Sequence, residues 1–377
     1  MKIEKPEDIS ESVILETLSN NPSDFKVCAI GDKKRYNANL LLLGDNCRYE
    51  KNETIINKEN TDVLVICGEY QPSNQIKSND IPMIYLYQLI SYKAKKFWDS
   101  KKEYIGIDLN HYCSNPYICK YIDNYRKKIN SISLIKKYYE KNRKHKLKLL
   151  SIGCGYGHFE RKLLETGFFS EIHGCDISPE SIQVAKDNAE EIDKNKVITY
   201  FTHDINTAGW EKKYDVIIAF SCVHHIERLE FFYENVRKAL KSNGIFIQEE
   251  YVGAVRFQNS YITIGVVNFL LKLLPPKIIK NNYKNIGMQE VLTDPSEAVR
   301  SDEIIPLTKR IFPKTKIWEF PGVIMHLLYR CVNADEFHTN EKRTKKLCLL
   351  IFKTEKLLDL IGLVEKDVAI LVSEAKL

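Results

Sequence analysis

The stretch "LLSIGCGYGHFE", Leu149 to Glu160, sets three glycines within five residues directly after an apolar run. A short apolar run bounded by glycines fits a buried strand that turns sharply into the next element. Glycine permits the turn, and it also lets the backbone approach a ligand that any Cβ would repel. The residues that follow decide between a plain turn and a cradle.

Downstream, strands and helices alternate. "HFERKLLETG" reads as a helix ended by Gly167, and "EIHGCD" as a strand. "SPESIQVAKDNAEEI" is a helix with Ser178 at its cap and Pro179 in its first turn. "KVITYF" and "YDVIIAF" are further strands. The helix "RLEFFYENVRKALKSNG", closed by Gly244, leads to a fifth strand, "IFIQEE". This alternation predicts a parallel, doubly wound α/β sheet, in which ligands bind beyond the carboxyl ends of the strands. The first strand is followed there by Gly153, Gly155 and Gly157. The second is followed by Asp176, nineteen residues beyond Gly157, placed to accept hydrogen bonds from a ribose diol. "HDI", with Asp204, follows the third, and "SCVHHI" the fourth.

The ordered set "LLSIGCGYGHFE", "GCDISPESIQVAKDNA", "THDI" and "YDVIIAFSCVHHI" resembles the class I S-adenosylmethionine-dependent methyltransferases, over about a hundred residues. The resemblance implies a seven-stranded, mostly parallel, Rossmann-like sheet with S-adenosylmethionine as cofactor and S-adenosylhomocysteine as product. It assigns Gly153, Gly155 and Gly157 to the methionine portion, Asp176 with Ile177 to the ribose, Asp204 and Ile205 to the adenine, and Phe220 and Ser221 to the region of the sulfonium. Glu160 is expected to hold the cofactor's amino group or the shape of the loop. "KTKIWEF" and "KDVAILVSEA" are the candidates for the last two strands, the final one antiparallel. Insertions at about 251–308 and 321–365 are expected to form a helical lid. The phrases "EEYVGAVRFQ", "DPSEAVRSDEIIP" and "GVIMHLLY" resemble a subgroup acting on sugars and cell-surface glycans.

Methyl transfer from a sulfonium is an in-line displacement, which positioning alone can promote; a hydroxyl acceptor also needs a base. The candidates are His224 and His225 after the fourth strand, Glu249 and Glu250 at the end of the fifth, and His326 in the lid, with His225, Glu250 and His326 preferred. No HExxH, CxxC or paired-carboxylate pattern points to a metal. The expected acceptor is a small molecule or a sugar. An RNA methyltransferase is the alternative, although the Asn/Asp-Pro-Pro-aromatic tetrapeptide of enzymes acting on base nitrogens is replaced here by "SCVHHI", and Cys222 lacks a neighbouring proline. A binding module without catalysis is a further alternative. A nicotinamide oxidoreductase fits less well, because the glycines run GxGxG and not GxGxxG.

The chain of 377 residues, 44% hydrophobic and 28% charged, suits a globular protein, and a net charge of +6 gives a nucleic-acid partner only weak support. Ten scattered cysteines without a CxxC pair predict core thiols in a reducing compartment. "MKIEKPEDIS" lacks a signal-peptide run, and "YITIGVVNFLLKLLPP" is too short to span a bilayer, so a cytoplasmic location is expected. Residues 1–112 are expected to form a small degenerate Rossmann-like accessory domain, serving as a scaffold, with strands in "FKVCAIG", "NLLLLGD", "TDVLVICGEY", "IPMIYLY" and "YIGIDLN". A basic helical linker over 113–147 and a methyltransferase domain over 148–377 complete the expected organisation.

Overall fold

The computed structural model describes residues 11–77, 79, 81–100, 118, 120, 129–142, 145–280, 283, 285–287, 294, 296–320, 322–333, 341–364 and 366–375. The N-terminal unit comprises α1 (Glu11–Asn20), β1 (Val27–Gly31), α2 (Lys33–Ala38), α3 (Leu40–Leu43), β2 (Arg48–Tyr49), β3 (Val63–Cys67), α4 (Asn74–Lys77), β4 (Met83–Tyr85) and α5 (Leu86–Asp99). Its strands form a parallel sheet in the order β2-β1-β3-β4. The unbroken apolar runs of β1 and β3 match strands covered on both faces. "NLLLLGD" is not a strand: the Asn39 carbonyl accepts from the N–H groups of Leu42 and Leu43, at 3.0 and 3.2 Å, and closes a helical turn. Four consecutive leucines have neither period, so local hydrogen bonding decides. The strand expected at "YIGIDLN" lies outside the described residues.

The helix α6 (Ser131–Lys141) leads into β5 (Leu147–Ile152), α7 (His158–Glu165), β6 (Phe169–Asp176), α8 (Pro179–Glu190), β7 (Ile198–Thr202), β8 (Tyr214–Phe220), α9 (Leu229–Ala239) and β9 (Leu240–Tyr251). Most of the remaining basic linker lies outside the described residues. After β9 come α10 (Tyr261–Leu273), α11 (Ile304–Ile311), β10 (Thr315–Phe320), α12 (Val323–Arg330), α13 (Glu341–Leu360) and β11 (Val368–Glu374). The seven strands run β10-β11-β9-β8-β5-β6-β7. The sheet is parallel except for β11, which lies antiparallel between β9 and β10, as expected. Alternate residues of β5 face opposite cores: Leu150 and Ile152 pack beneath α9, Leu147 and Leu149 against α6 and α7. Gly244 does not close α9. The helix stops at Ala239 because Leu240, buried and extended, pairs with Tyr214, which leaves Gly244 inside β9.

The helices α10, α12 and α13 of the two insertions share one core, with Val267, Leu271, Ile324, Leu328, Ile351 and Phe352 at its centre. "YITIGVVNFLLKLLPP" supplies α10 of that layer, and no helix among the described residues is long and apolar enough to cross a membrane.

In the small sheet the strand order reverses between β1 and β3, where an open α/β sheet would take a ligand. Here Arg35 lies over that point, beside Gly68, and reaches out of the unit. Its guanidinium pairs with Glu227 at 3.1 Å and Glu230 at 3.4 Å, both just beyond the histidine pair. Arg300 closes the group on Glu230 at 2.7 Å, and Lys34 meets Asp302 at 3.1 Å. Arg35, Glu227 and Arg300 are all buried, so this ion cluster fixes the unit onto the larger sheet. Removing one partner of a buried pair strands the other. Arg35→Ala is therefore expected to lower stability by about 3–5 kcal/mol, measured by urea unfolding.

Candidate active site

The glycine turn begins where β5 ends. Gly153 has φ +67°, and a Cβ there would collide with the Cys222 side chain, so the turn presses on the loop after β8. Gly155 has φ +51°, and a Cβ would meet nothing within 4 Å: its backbone faces open space. The Gly155 N–H donates to Asp176 Oδ2 at 2.9 Å, and the Ser178 N–H donates to Oδ1 at 3.0 Å. Each carboxylate oxygen thus holds one backbone donor and keeps lone-pair capacity for a diol. Burial raises the Asp176 pKa against those N–H groups. Ser178 caps α8 by accepting from the Ser181 N–H at 3.1 Å, with Pro179 at the first helical position.

These residues line a cleft of about 320 Å³ at the carboxyl ends of β5, β6, β7 and β8. Its facing wall comes from the N-terminal unit: Ile90, Ala94 and Trp98 recur along one stripe of α5, and Ser91 lies beside them. The Ser91 hydroxyl donates to Asp204 Oδ1 at 3.4 Å and accepts from Asn206 Nδ2 at 3.0 Å. The Ser178 hydroxyl donates to Asp99 at the end of α5, 2.7 Å away. The unit expected to act as a scaffold therefore helps to build the cleft. Ser221, also in its lining, has a left-handed backbone, φ +50°, which costs energy for a residue with a Cβ.

The histidine pair stands at the mouth of β8. Glu250 Oε1 accepts from the N–H groups of Cys222 and Val223, both at 3.0 Å, while Oε2 meets His224 Nδ1 at 2.8 Å. His224 Nε2 lies 3.3 Å from Glu297. Burial opposes charge on His224, but its bonds to the two carboxylates outweigh that and raise its pKa to about 10. Glu297, drawn down by its histidine neighbours despite burial, sits at about 2. His225 differs. Burial and the adjacent charge of His224 lower its pKa, so its ring is neutral at pH 7. Its Nδ1 is 2.9 Å from Ser296 Oγ, and Trp98 stands edge-on to the ring at 5.9 Å. His224, His225 and Glu297 offer atoms within 4.8 Å that could surround a cation; ion pairing also accounts for their arrangement.

A family model described as a methyltransferase domain matches residues 150–246, the span from β5 into β9. Over these residues the chain resembles a methyltransferase domain. A ubiquinone biosynthesis O-methyltransferase from Pelagibacter ubique is 34% identical over 131 residues, covering 34% of this chain and 51% of that protein. One from Rickettsia canadensis is 29% identical over 208 residues, covering 54% of this chain and 78% of its own length. The chain thus spans about half the length of the Pelagibacter relative. A solved O-methyltransferase of a trans-AT polyketide synthase from Brevibacillus brevis, in complex with S-adenosylhomocysteine, covers 60% of this chain and 67% of its own, at 14% identity and TM-score 0.36.

The cleft gathers many of the residues that the sequence pattern assigns to S-adenosylmethionine. Gly153, Gly155, Asp176, Ile177, Asp204, Ile205 and Ser221 line it, with His225. Three of the expected residues lie outside that lining. Gly157 starts α7 away from the lining, packed under Tyr200, and Phe220 turns its ring edge-on to Phe159 at 4.8 Å. Glu160 is buried and accepts the Ser151 hydroxyl, which ties α7 to β5. Of the candidate bases, Glu250 is engaged by backbone N–H groups and His224, and His326 pairs with Asp367 at 3.3 Å; neither lines the cleft. Sequence reasoning missed Ser91, Trp98, Asp294, Ser296 and Glu297. The i, i+4, i+8 stripe of α5 was a usable signal for Trp98; the last three had none.

Asp176→Ala is expected to weaken S-adenosylmethionine binding ten- to a hundredfold in titration calorimetry, since a hydrogen bond to a charged group contributes about 1.5–3 kcal/mol. Stability should respond to His224. Its folded pKa lies above the ordinary value of 6.5, so its contribution is complete below about pH 6.5 and is lost as pH rises towards about 10. His224→Gln should flatten that alkaline decline in thermal unfolding.

Proposed function

We propose that the chain transfers the methyl group of S-adenosylmethionine to a hydroxyl oxygen of a small molecule or sugar, with His225 receiving the hydroxyl proton. The observation that carries this is a single cleft lined by Gly155, Asp176, Asp204 and His225. Asp176 offers both carboxylate oxygens to a ribose diol, and Asp204 and Ile205 offer an edge and an apolar surface to adenine. The bound cofactor supplies an electrophilic methyl carbon; the residues supply position and a base. His225 suits that task because it stands in the cleft and is held neutral by burial and by the charge of the adjacent His224. A hydroxyl acceptor also agrees with the relatives named as O-methyltransferases.

The test pairs calorimetry of S-adenosylmethionine, S-adenosylhomocysteine and NADH with transfer of radiolabelled methyl to phenols, sugars, nucleotide-sugars and tRNA. Binding of the two sulfur compounds and labelling of a hydroxylated small molecule are expected. Label appearing only in tRNA would overturn the acceptor assignment. With the acceptor in hand, His225→Gln should lower kcat by about 10²–10⁴. The wild-type rate should fall as pH drops through a midpoint below 6.5, where His225 gains its proton.

A further inference from the structure

We infer that Asp294 and Ser296, both contributed by the insertion after β9, act as positioning residues that fix the tautomer of His225 with its proton on Nδ1 and its lone pair on Nε2. This rests on His225 as the proton acceptor and adds what makes its nitrogens unequal.

The argument is a count of protons. Ser296 is fully buried and has one hydroxyl hydrogen and one backbone N–H. Asp294 Oδ1 lies 2.7 Å from Ser296 Oγ and 2.8 Å from its nitrogen, so it accepts both hydrogens. With its hydrogen committed there, Ser296 Oγ presents only lone pairs to His225 Nδ1, 2.9 Å away. The second atom facing Nδ1 is Asp294 Oδ2, at 3.5 Å, a buried oxygen with no hydrogen-bond partner. Both neighbours of Nδ1 are acceptors, so Nδ1 must carry the hydrogen.

Nε2 is then unprotonated. Glu297 Oε2 lies 3.9 Å from it, beyond hydrogen-bond reach. The gap leaves Nε2 able to accept from an incoming hydroxyl, and Ser296 shares the cleft lining with His225. The proton balance closes: the acceptor's O–H hydrogen passes to Nε2, the oxygen forms the new bond to the methyl carbon, and the carbon–sulfur bond breaks. The resulting imidazolium keeps its Nδ1–H on Ser296 beside the Asp294 carboxylate, which stabilises the positive charge.

The arrangement also joins two parts of the chain. The histidine comes from the core sheet and its orienting pair from the insertion, so the base is complete only when Asp294 and Ser296 lie against the loop after β8. The backbone shows that contact: the Val299 N–H donates to the His224 carbonyl at 3.0 Å.

The test uses the full chain, labelled with ¹⁵N-histidine and saturated with S-adenosylhomocysteine, in a long-range ¹H–¹⁵N experiment above pH 7.5. His225→Gln assigns the resonance by its disappearance. In the wild type, Nδ1 should show the shift of a protonated nitrogen and Nε2 that of a bare one, with the other tautomer at least tenfold less populated. The double variant Asp294→Ala/Ser296→Ala should bring the two tautomers to comparable populations. An Nε2-protonated ring in the wild type overturns the inference, and so does an unchanged ratio in the double variant. If that variant fails to fold, the wild-type spectrum decides alone. Loss of the base assignment would show separately, as full methyl transfer by His225→Gln.

Discussion

The carboxylate of Glu250 ties the catalytic end of the sheet together. One of its oxygens gathers the N–H groups of Cys222 and Val223, and the other holds His224. The chain leaving β8 would otherwise bury two unsatisfied donors, each costing about 1–3 kcal/mol. Satisfying them from the neighbouring strand fixes where the loop turns. Cys222 then presses against Gly153, which has no Cβ to resist it, and the glycine turn and the histidine loop share one wall. Glu250 is thus part of the frame that sets His225 at the cleft. Its charge also keeps His224 protonated, and that cation depresses the proton affinity of the ring beside it.

The rest of the cleft depends on docking. The core sheet supplies the floor and the carboxylates, but α5 supplies the facing wall, held by Arg35 on Glu227 and Glu230 and by Ser178 on Asp99. Glu227 lies two residues beyond His225, so the ion cluster that anchors the N-terminal unit also restrains the histidine loop. The place where a small α/β sheet would ordinarily take a ligand has been given to this contact. Gly31 closes β1 and leads into Asp32, which caps α2 by accepting from the N–H groups of Lys34 and Arg35. The cap presents Arg35 to the neighbouring sheet.

The strand order and the glycine and carboxylate positions of the cleft could be read from the sequence because each depends on local chemistry. A run such as Leu149–Ile152 must be buried, glycines at 153 and 155 permit a turn that other residues resist, and Asp176 follows its strand at a fixed distance. Boundaries were less certain where two local signals competed. Leu40–Leu43 has no period, and Gly244 looks like a helix stop although Leu240 is already drawn into the sheet. The choice among bases could not be made from the sequence. Glu250 and His225 each follow a strand and look equally suited. What separates them is a pair of backbone N–H groups on Glu250 and a serine from seventy-one residues downstream on His225. Contacts of that sequence separation leave no spacing pattern.

Two adjacent histidines, identical in sequence, therefore end in opposite states. His224 has carboxylates at both nitrogens, 2.8 and 3.3 Å away, and that environment favours the imidazolium. His225 has a serine hydroxyl and a more distant carboxylate at one nitrogen and, among the described residues, no partner within hydrogen-bond distance at the other. With one positive charge already placed 4.2 Å away, ring to ring, a second is disfavoured; in the proposed transfer it would come from the acceptor's hydroxyl. At that moment Asp294, Glu297 and Glu250 surround the pair with negative charge. The insertion that supplies Asp294 and Glu297 thereby contributes electrostatics as well as shape. A loop that only covered the acceptor could be exchanged freely; one that also sets the state of the base must retain an acidic residue, a serine and their spacing.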